Sequence, residues 1–267
     1  MKFALVNGEK VEATKGVKGT CPCCGSELIA RCGEVKINHW AHKGNLICDP
    51  WWENETGWHR SWKGKFPKDW QEKLHFDESG EKHIADVKTD DDWCIEFQHS
   101  YLNPEERRAR NAFYRKLVWV VDGTRRKTDI DQLSRLLGSG IRLKTKLLTL
   151  ALNPGNKNRL LAEWYSNDSL VFFDFKQIDR DGQRFIWFAL PKVEIKDAYI
   201  PAFSNDLFIQ AFPVSWFIGT HINGMFDQFF SREIYEHVLQ YCKELSKIRR
   251  RYKNGIFPDP KFSWLIA

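Results

Sequence analysis

Two short runs rich in strand-forming residues, 83–89 and 93–98, flank three consecutive aspartates, Asp90, Asp91 and Asp92. This pattern predicts a β-hairpin, because polar turn residues reverse the chain between segments that favour extended backbone. Side chains alternate along a strand, so Glu96 and Gln98 share one face while Ile95 and Phe97 share the other. A carboxylate held against a buried sheet face needs compensation, and Asp86 on the partner run is placed to meet Glu96. Two acids converging near a sheet edge are hard oxygen donors of the kind that hold Mg²⁺ or Mn²⁺.

The second chemically capable group consists of thiols and imidazoles. Cys21 and Cys24 have the two-residue gap of a zinc knuckle, and His39 and His42 follow as a second close pair. Structural zinc takes four tetrahedral sulfur and nitrogen ligands and leaves no open position, so these four predict a structural zinc, with Gly25 suited to the tight turn after the second thiolate. Cys23 is an alternative ligand, and Cys32 or Cys48 could each replace a histidine. Buried free thiols and core histidines are the bland alternative, which leaves the two tight pairs unexplained.

The elements that must position these groups are legible in part. Residues 49–64 read as a helix with Pro50 in its first turn. Glu55, His59 and Lys63 then fall at four-residue spacing on one stripe, with Trp51, Trp58 and Trp62 as anchors elsewhere on the helix. Alone, such a stripe is a salt-bridged surface face; opposite a carboxylate hairpin it could complete a metal site and touch a phosphate. Ser100 or Asn103 caps a helix from about Pro104, with Glu105 and Glu106 in the first turn and Glu106, Arg110 and Tyr114 at four-residue spacing. The apolar run 117–121 reads as an interior strand. Upstream, strands at 3–6 and 10–13 join at Asn7-Gly8, and a short helical turn at 67–73 leads into a strand at 74–78. Beyond Asp122 the signals thin. A short helix at 131–137, a turn at Asn153-Pro154-Gly155, an aromatic antiparallel pair at 170–175 and 184–190, and a helix at 231–253 are expected.

Composition bounds the rest. At 267 residues with 42% hydrophobic content the chain can bury a core and form one large domain or two or three modest ones. The net charge of +6 is mild, but basic runs occur at Arg107, Arg108 and Arg110, at Arg125, Arg126 and Lys127, and at Arg249, Arg250 and Arg251. Each run alone is a solvated helix face; together they suit phosphate contacts. No segment has the roughly 18 apolar residues of a membrane span, and the N-terminus lacks the apolar core of a signal peptide. With four of its 7 cysteines between Cys21 and Cys32, the chain reads as a cytoplasmic protein with metal-binding thiols.

Together, Cys21-Pro22-Cys23-Cys24-Gly25 with His39-Trp40-Ala41-His42, the stretch from Glu55 to Lys63, Ala85-Asp86-Val87, the stretch from Ile95 to Ser100, and Glu106 through Arg110 to Tyr114 before Val118 resemble the competence protein CoiA-like family. The resemblance implies an α/β (α+β) fold: a restriction-endonuclease-like mixed sheet flanked by helices, with an N-terminal zinc module and an additional C-terminal α+β domain. The expected division is a zinc-finger-like module at 1–48, a PD-(D/E)xK nuclease-like core at 49–128 and an accessory domain at 129–267. By that resemblance the chain is a metal-dependent deoxyribonuclease acting on single- or double-stranded DNA, in DNA uptake, recombination and repair, or phage defence, with protein partners in DNA processing. Asp86, Glu96 and Glu55 take the acid positions and hold catalytic Mg²⁺ or Mn²⁺. Gln98 stands where the broader nuclease pattern has lysine, so it orients water or phosphate by hydrogen bonds, and Lys63, or Lys88, supplies the missing charge. His59 bonds a phosphate or shuttles a proton; Arg107 contacts DNA, and Arg110 and Tyr114 orient the hairpin or contact the DNA backbone. Gln98 also favours a rival, a catalytically inactive nuclease-fold DNA-binding adaptor, and a partner-docking protein is a further alternative.

Overall fold

The computed structural model describes residues 1–44, 48–51, 55–142, 148–152, 159–164, 169–189 and 207–228. The chain divides into two compact units, Met1–Val120 and Val121–Ala267. The architecture is mixed α+β, with sheets flanked by helices.

The first unit opens with a five-stranded antiparallel sheet of β1 (Phe3–Val6), β2 (Glu9–Glu12), β3 (Lys18–Thr20), β4 (Glu27–Arg31) and β5 (His39–His42), in the order β2-β1-β3-β4-β5. Asn7 and Gly8 link β1 to β2 with φ of 51° and 84°, the left-handed pair that a two-residue hairpin requires. Ala4, Leu28 and Trp40 form the core under this sheet, together with Cys21 and Cys23. Gly19 of β3 is needed for its size, because a Cβ there would lie 2.8 Å from the Ala4 Cβ.

After β5 comes α1 (Gly57–Lys63), followed by a 3-10 turn at Lys68–Trp70. The helix is shorter than the expected 49–64. Thr56 ends it at the N-terminal side: its hydroxyl accepts from the His59 N–H, and the His59 side chain reaches back to the Thr56 N–H. That reciprocal pairing satisfies two otherwise orphaned donors, and it leaves Glu55 before the helix. The unit continues with β6 (Gln71–Phe76), β7 (Lys82–Lys88), β8 (Cys94–Gln98), α2 (Pro104–Phe113) and β9 (Leu117–Asp122), whose strand order is β9-β8-β7-β6. The expected hairpin is present: β7 and β8 pair antiparallel with Val87 across from Ile95. Asp92 takes the left-handed position at φ 64°. All five β8 residues are buried, with Trp62 stacked on Phe97 at 5.7 Å. Asn103 caps α2 through the Glu105 N–H, and Pro104 opens it.

In the second unit, α3 (Lys127–Ser139) runs longer than the short helix expected there, and β10 (Ile141–Arg142), β11 (Thr149–Leu152), α4 (Arg159–Trp164), β12 (Leu170–Asp174), β13 (Phe185–Ala189), β14 (Leu207–Pro213), α5 (Val214–Ile222) and α6 (Phe226–Gln228) follow. Its strands run β10-β11-β14-β13-β12. The aromatic pair read from the sequence is β12 and β13, with Phe172 across from Phe188. The expected turn at Asn153-Pro154-Gly155, the helix at 231–253 and the basic run Arg249–Arg251 lie outside the described residues.

Candidate functional site

Cys21 and Cys24 lie on the turn between β3 and β4, where the Cys21 carbonyl accepts from the Gly25 N–H; His42 ends β5. Their ligand atoms and that of Cys48 all lie within 4.8 Å of one another. With zinc–sulfur bonds of about 2.3 Å and zinc–nitrogen bonds of about 2.0 Å, tetrahedral edges run about 3.5–3.8 Å. Cys21 Sγ and Cys48 Sγ are 3.6 Å apart and Cys24 Sγ and His42 Nε2 3.3 Å, so the group fits zinc without large rearrangement. The fourth ligand is thus Cys48, one of the alternatives, in place of His39. His39 is turned away, with Nδ1 2.9 Å from the Ile37 carbonyl oxygen. Burial opposes ionisation of Cys24, but hydrogen bonds with Ser26 and His42 overcome it and bring the thiol down to about 6. Burial raises the Cys21 and Cys48 thiols, and a bound cation would favour all three as thiolates.

The second constellation lines a cavity of about 430 Å³ that includes Glu55, His59, Lys63, Asp86, Glu96 and Gln98. Hairpin pairing brings Asp86 and Glu96 together: Glu96 Oε1 lies 3.4 Å from the Asp86 amide, and Asp86 Oδ2 accepts from the Phe97 N–H at 3.0 Å. Lys63, buried at the end of α1, stands 3.5 Å from Asp86 Oδ1, 2.7 Å from Glu55 Oε1 and 2.9 Å from Glu72 Oε1. Burial disfavours its ammonium, yet Glu72, Asp86 and Glu55 more than compensate and raise its pKa. Lys63 is therefore a fixed cation and not a base. Lys88 instead pairs with Asp92 at 3.1 Å.

Glu55 sits between two cations: one oxygen meets Lys63 and the other meets Arg60 at 2.6 Å. Burial would raise its pKa, but Lys63 foremost reverses that and holds it below the usual range. Glu55 thus anchors Lys63. Glu72 was not singled out by any spacing, yet it is fully embedded here. It accepts from the Lys2 and Phe3 amides at 2.7 and 2.9 Å, so β1 is tied to the Lys63 cluster. Burial alone would raise its carboxyl; Lys63, the amino terminus and the Lys2 amide bring it down to about 2. Only its φ of 46° is unusual locally, and sequence carries no trace of that.

Glu96 behaves in the opposite way. Burial, then the neighbouring Asp86, push its carboxyl up to about 8, against the pull of Arg110. Arg110 Nη1 contacts Glu96 Oε2 at 3.1 Å, while its Nε reaches Glu106 at 3.1 Å and its Nη2 the Trp51 carbonyl at 2.7 Å. Arg110 is 4% exposed and Tyr114 2%, so of the two roles expected of them the burial and the Arg110–Glu96 contact fit orientation of the hairpin and not a DNA-facing surface. Arg107 of the same helix is half-buried. Arg125 and Arg126 are likewise engaged, 2.7 and 3.2 Å from Glu163. Gln98 is buried, with Nε2 3.3 Å from the Ser100 carbonyl, and His59 is held through Nδ1 by Thr56.

The oxygen donors of Asp86 and Glu96 suit a hard divalent cation. Each carboxylate oxygen has a second lone pair beyond the contacts described. A buried acid with a raised pKa beside a second acid is the electrostatic state that such a cation would relieve.

The first unit therefore joins a Cys₃His metal module to a core with an acid-bearing hairpin. Residues 5–50 match the family described as Competence protein CoiA, N-terminal domain, so the chain is similar to that family over the stretch that carries the Cys₃His group. No curated protein gives a significant match, nor does any solved structure. Among the described residues no helix is long and apolar enough to cross a membrane.

Proposed function

We propose that the first unit is a metal-dependent deoxyribonuclease, and that the Cys₃His group is a structural zinc site beside it. The observation that carries this reading is Asp86 and Glu96 on paired strands with the Lys63 ammonium 3.5 Å from Asp86, in one cavity. Asp86 and Glu96 would hold Mg²⁺ or Mn²⁺, which when bound lowers the pKa of water and polarises a phosphoryl oxygen. Lys63 offers positive charge to a phosphate oxygen, the role left open by Gln98. Gln98 and His59 line the same cavity and would orient water or phosphate by hydrogen bonds. Arg110 holds the Glu96 carboxylate in its rotamer. The family match supports a competence-related setting, in which such an activity would act on DNA being taken up. The test is incubation with single- and double-stranded DNA in Mg²⁺ or Mn²⁺: cleavage is expected from the unaltered chain and lost in Asp86→Ala and Glu96→Ala. Cutting that survives both changes would refute this site.

One observation favours a rival reading, a nuclease-fold adaptor that binds DNA without cutting it. Lys63 already has three carboxylate neighbours, and an ammonium so engaged competes with a metal for the same acids. The adaptor predicts metal-independent, salt-sensitive DNA binding and no turnover with either cation.

A further inference from the structure

Residues 48–51 supply one ligand of the Cys₃His group and contact residues that adjoin the acid pair. Cys21, Cys24 and His42 are fixed by the turn and strand of one sheet, whereas Cys48 reaches the group from outside any strand or helix. The next residue, Asp49, is buried. Its Oδ2 accepts from the Ile84 N–H at 2.8 Å, and its Oδ1 accepts from the Trp51 N–H at 3.0 Å and lies 2.8 Å from His83 Nδ1. Ile84 is two residues from Asp86 on β7. Trp51 stacks on His83 at 3.3 Å, and its carbonyl accepts from Arg110, whose other Nη holds Glu96. One path thus runs from Cys48 through Asp49 and β7 to Asp86. The other runs through Trp51 and Arg110 to Glu96.

We propose that Asp49 and Trp51 are positioning residues that couple zinc capture at Cys48 to the affinity of Asp86 and Glu96 for a divalent cation. The coupling rests on the reading of Asp86 and Glu96 as a cation site. A zinc–thiolate bond pins Cys48, which pins the Asp49 carboxylate on β7 and the Trp51 carbonyl on Arg110. Without it Arg110 loses a fixed acceptor and Glu96 its orientation. Partners that orient ligands from behind change metal affinity by about 10- to 100-fold when altered, and coupling between two sites is reciprocal.

The experiment measures Mn²⁺ binding by electron paramagnetic resonance, and zinc affinity by competition with a chelator, on the full chain. Zinc-loaded protein is expected to bind Mn²⁺, and Asp86→Ala is expected not to. Asp49→Asn should keep about one zinc and bind Mn²⁺ about 10- to 100-fold more weakly. In the unaltered chain, saturating Mg²⁺ should tighten zinc by the factor by which zinc tightens Mg²⁺; in Asp49→Asn it should not. A residue that only supports the fold would lower stability without making zinc affinity answer to Mg²⁺. The unaltered-chain measurement stands even if the variant fails to fold. Equal Mn²⁺ binding by zinc-loaded and zinc-free protein overturns the coupling and leaves the acid site intact. No Mn²⁺ binding by zinc-loaded protein overturns the acid site and the coupling together.

Discussion

Lys63 has no counterpart in the hairpin itself; it comes from a neighbouring helix and stands among Glu55, Glu72 and Asp86. Removing one partner of a buried ion cluster leaves uncompensated charge and is destabilising by about 3–5 kcal/mol. Lys63→Met is therefore expected to lower unfolding free energy by about that much in urea denaturation, and Glu72→Gln in the same chain should restore part of it. The two glutamates at opposite extremes give stability opposite pH dependences. Glu96, raised to about 8, keeps its proton in the folded state while the unfolded state loses it above the ordinary carboxylate range. Stability from this group is full below about 4.5 and falls as pH rises to about 8, with a slope of at most about 1.4 kcal/mol per pH unit. Glu96→Gln should flatten that fall in metal-free protein, as read from denaturation midpoints across the range. Glu72, held down to about 2, contributes stability above its unfolded pKa that disappears as pH drops toward about 2. Asp86 and Glu96 were legible in the sequence because strand alternation and an aspartate turn are local signals. Glu72 was not, since its partners are the Lys2 and Phe3 amides, and no local spacing encodes a meeting of that range.

At the level of elements, α1 depends on Thr56. Thr56→Ala removes the cap and is expected to cost about 1 kcal/mol. Because His59 and Lys63 are carried by the same short helix, the cleavage proposed for this site should fall as well, which a cleavage assay alongside a thermal melt would separate from global loss of fold. The sequence misplaced this helix start for a physical reason: Pro50 is a good first-turn residue, and the capping box here uses histidine where glutamate or glutamine is the familiar third partner. Gly19 sets a second element-level expectation. A methyl group 2.8 Å from the Ala4 Cβ must force β1 and β3 apart, and overpacking of this kind costs about 1–3 kcal/mol. Gly19→Ala should melt lower than the unaltered chain. The β7–β8 hairpin, by contrast, was readable nearly residue for residue, as was the capped start of α2 at Asn103-Pro104.

On the scale of the whole molecule, the first unit holds a Cys₃His group that could bind a metal and, on a separate hairpin, the two acids proposed to hold a second, harder cation. Replacing Cys21 and Cys24 together with serine should abolish zinc content and lower the melting temperature, because Cys21 also belongs to the core with Leu28 and Trp40. If zinc content is unchanged in that variant, the Cys₃His assignment is wrong. Spacing alone exposed Cys21, Cys24 and His42, since they lie close in sequence. The choice between His39 and Cys48 depended on where the chain goes after β5, which is a tertiary fact. The Lys63 cluster has one more consequence. A cleft that carries its own counter-ion holds a dication from solution less tightly than the same acids would alone. An incoming polyanion changes that balance, for it draws the ammonium toward itself and releases the acids behind it. Substrate and dication should then reinforce one another, each bound more tightly in the other's presence, and titrating Mn²⁺ with and without a non-cleavable oligonucleotide would reveal it.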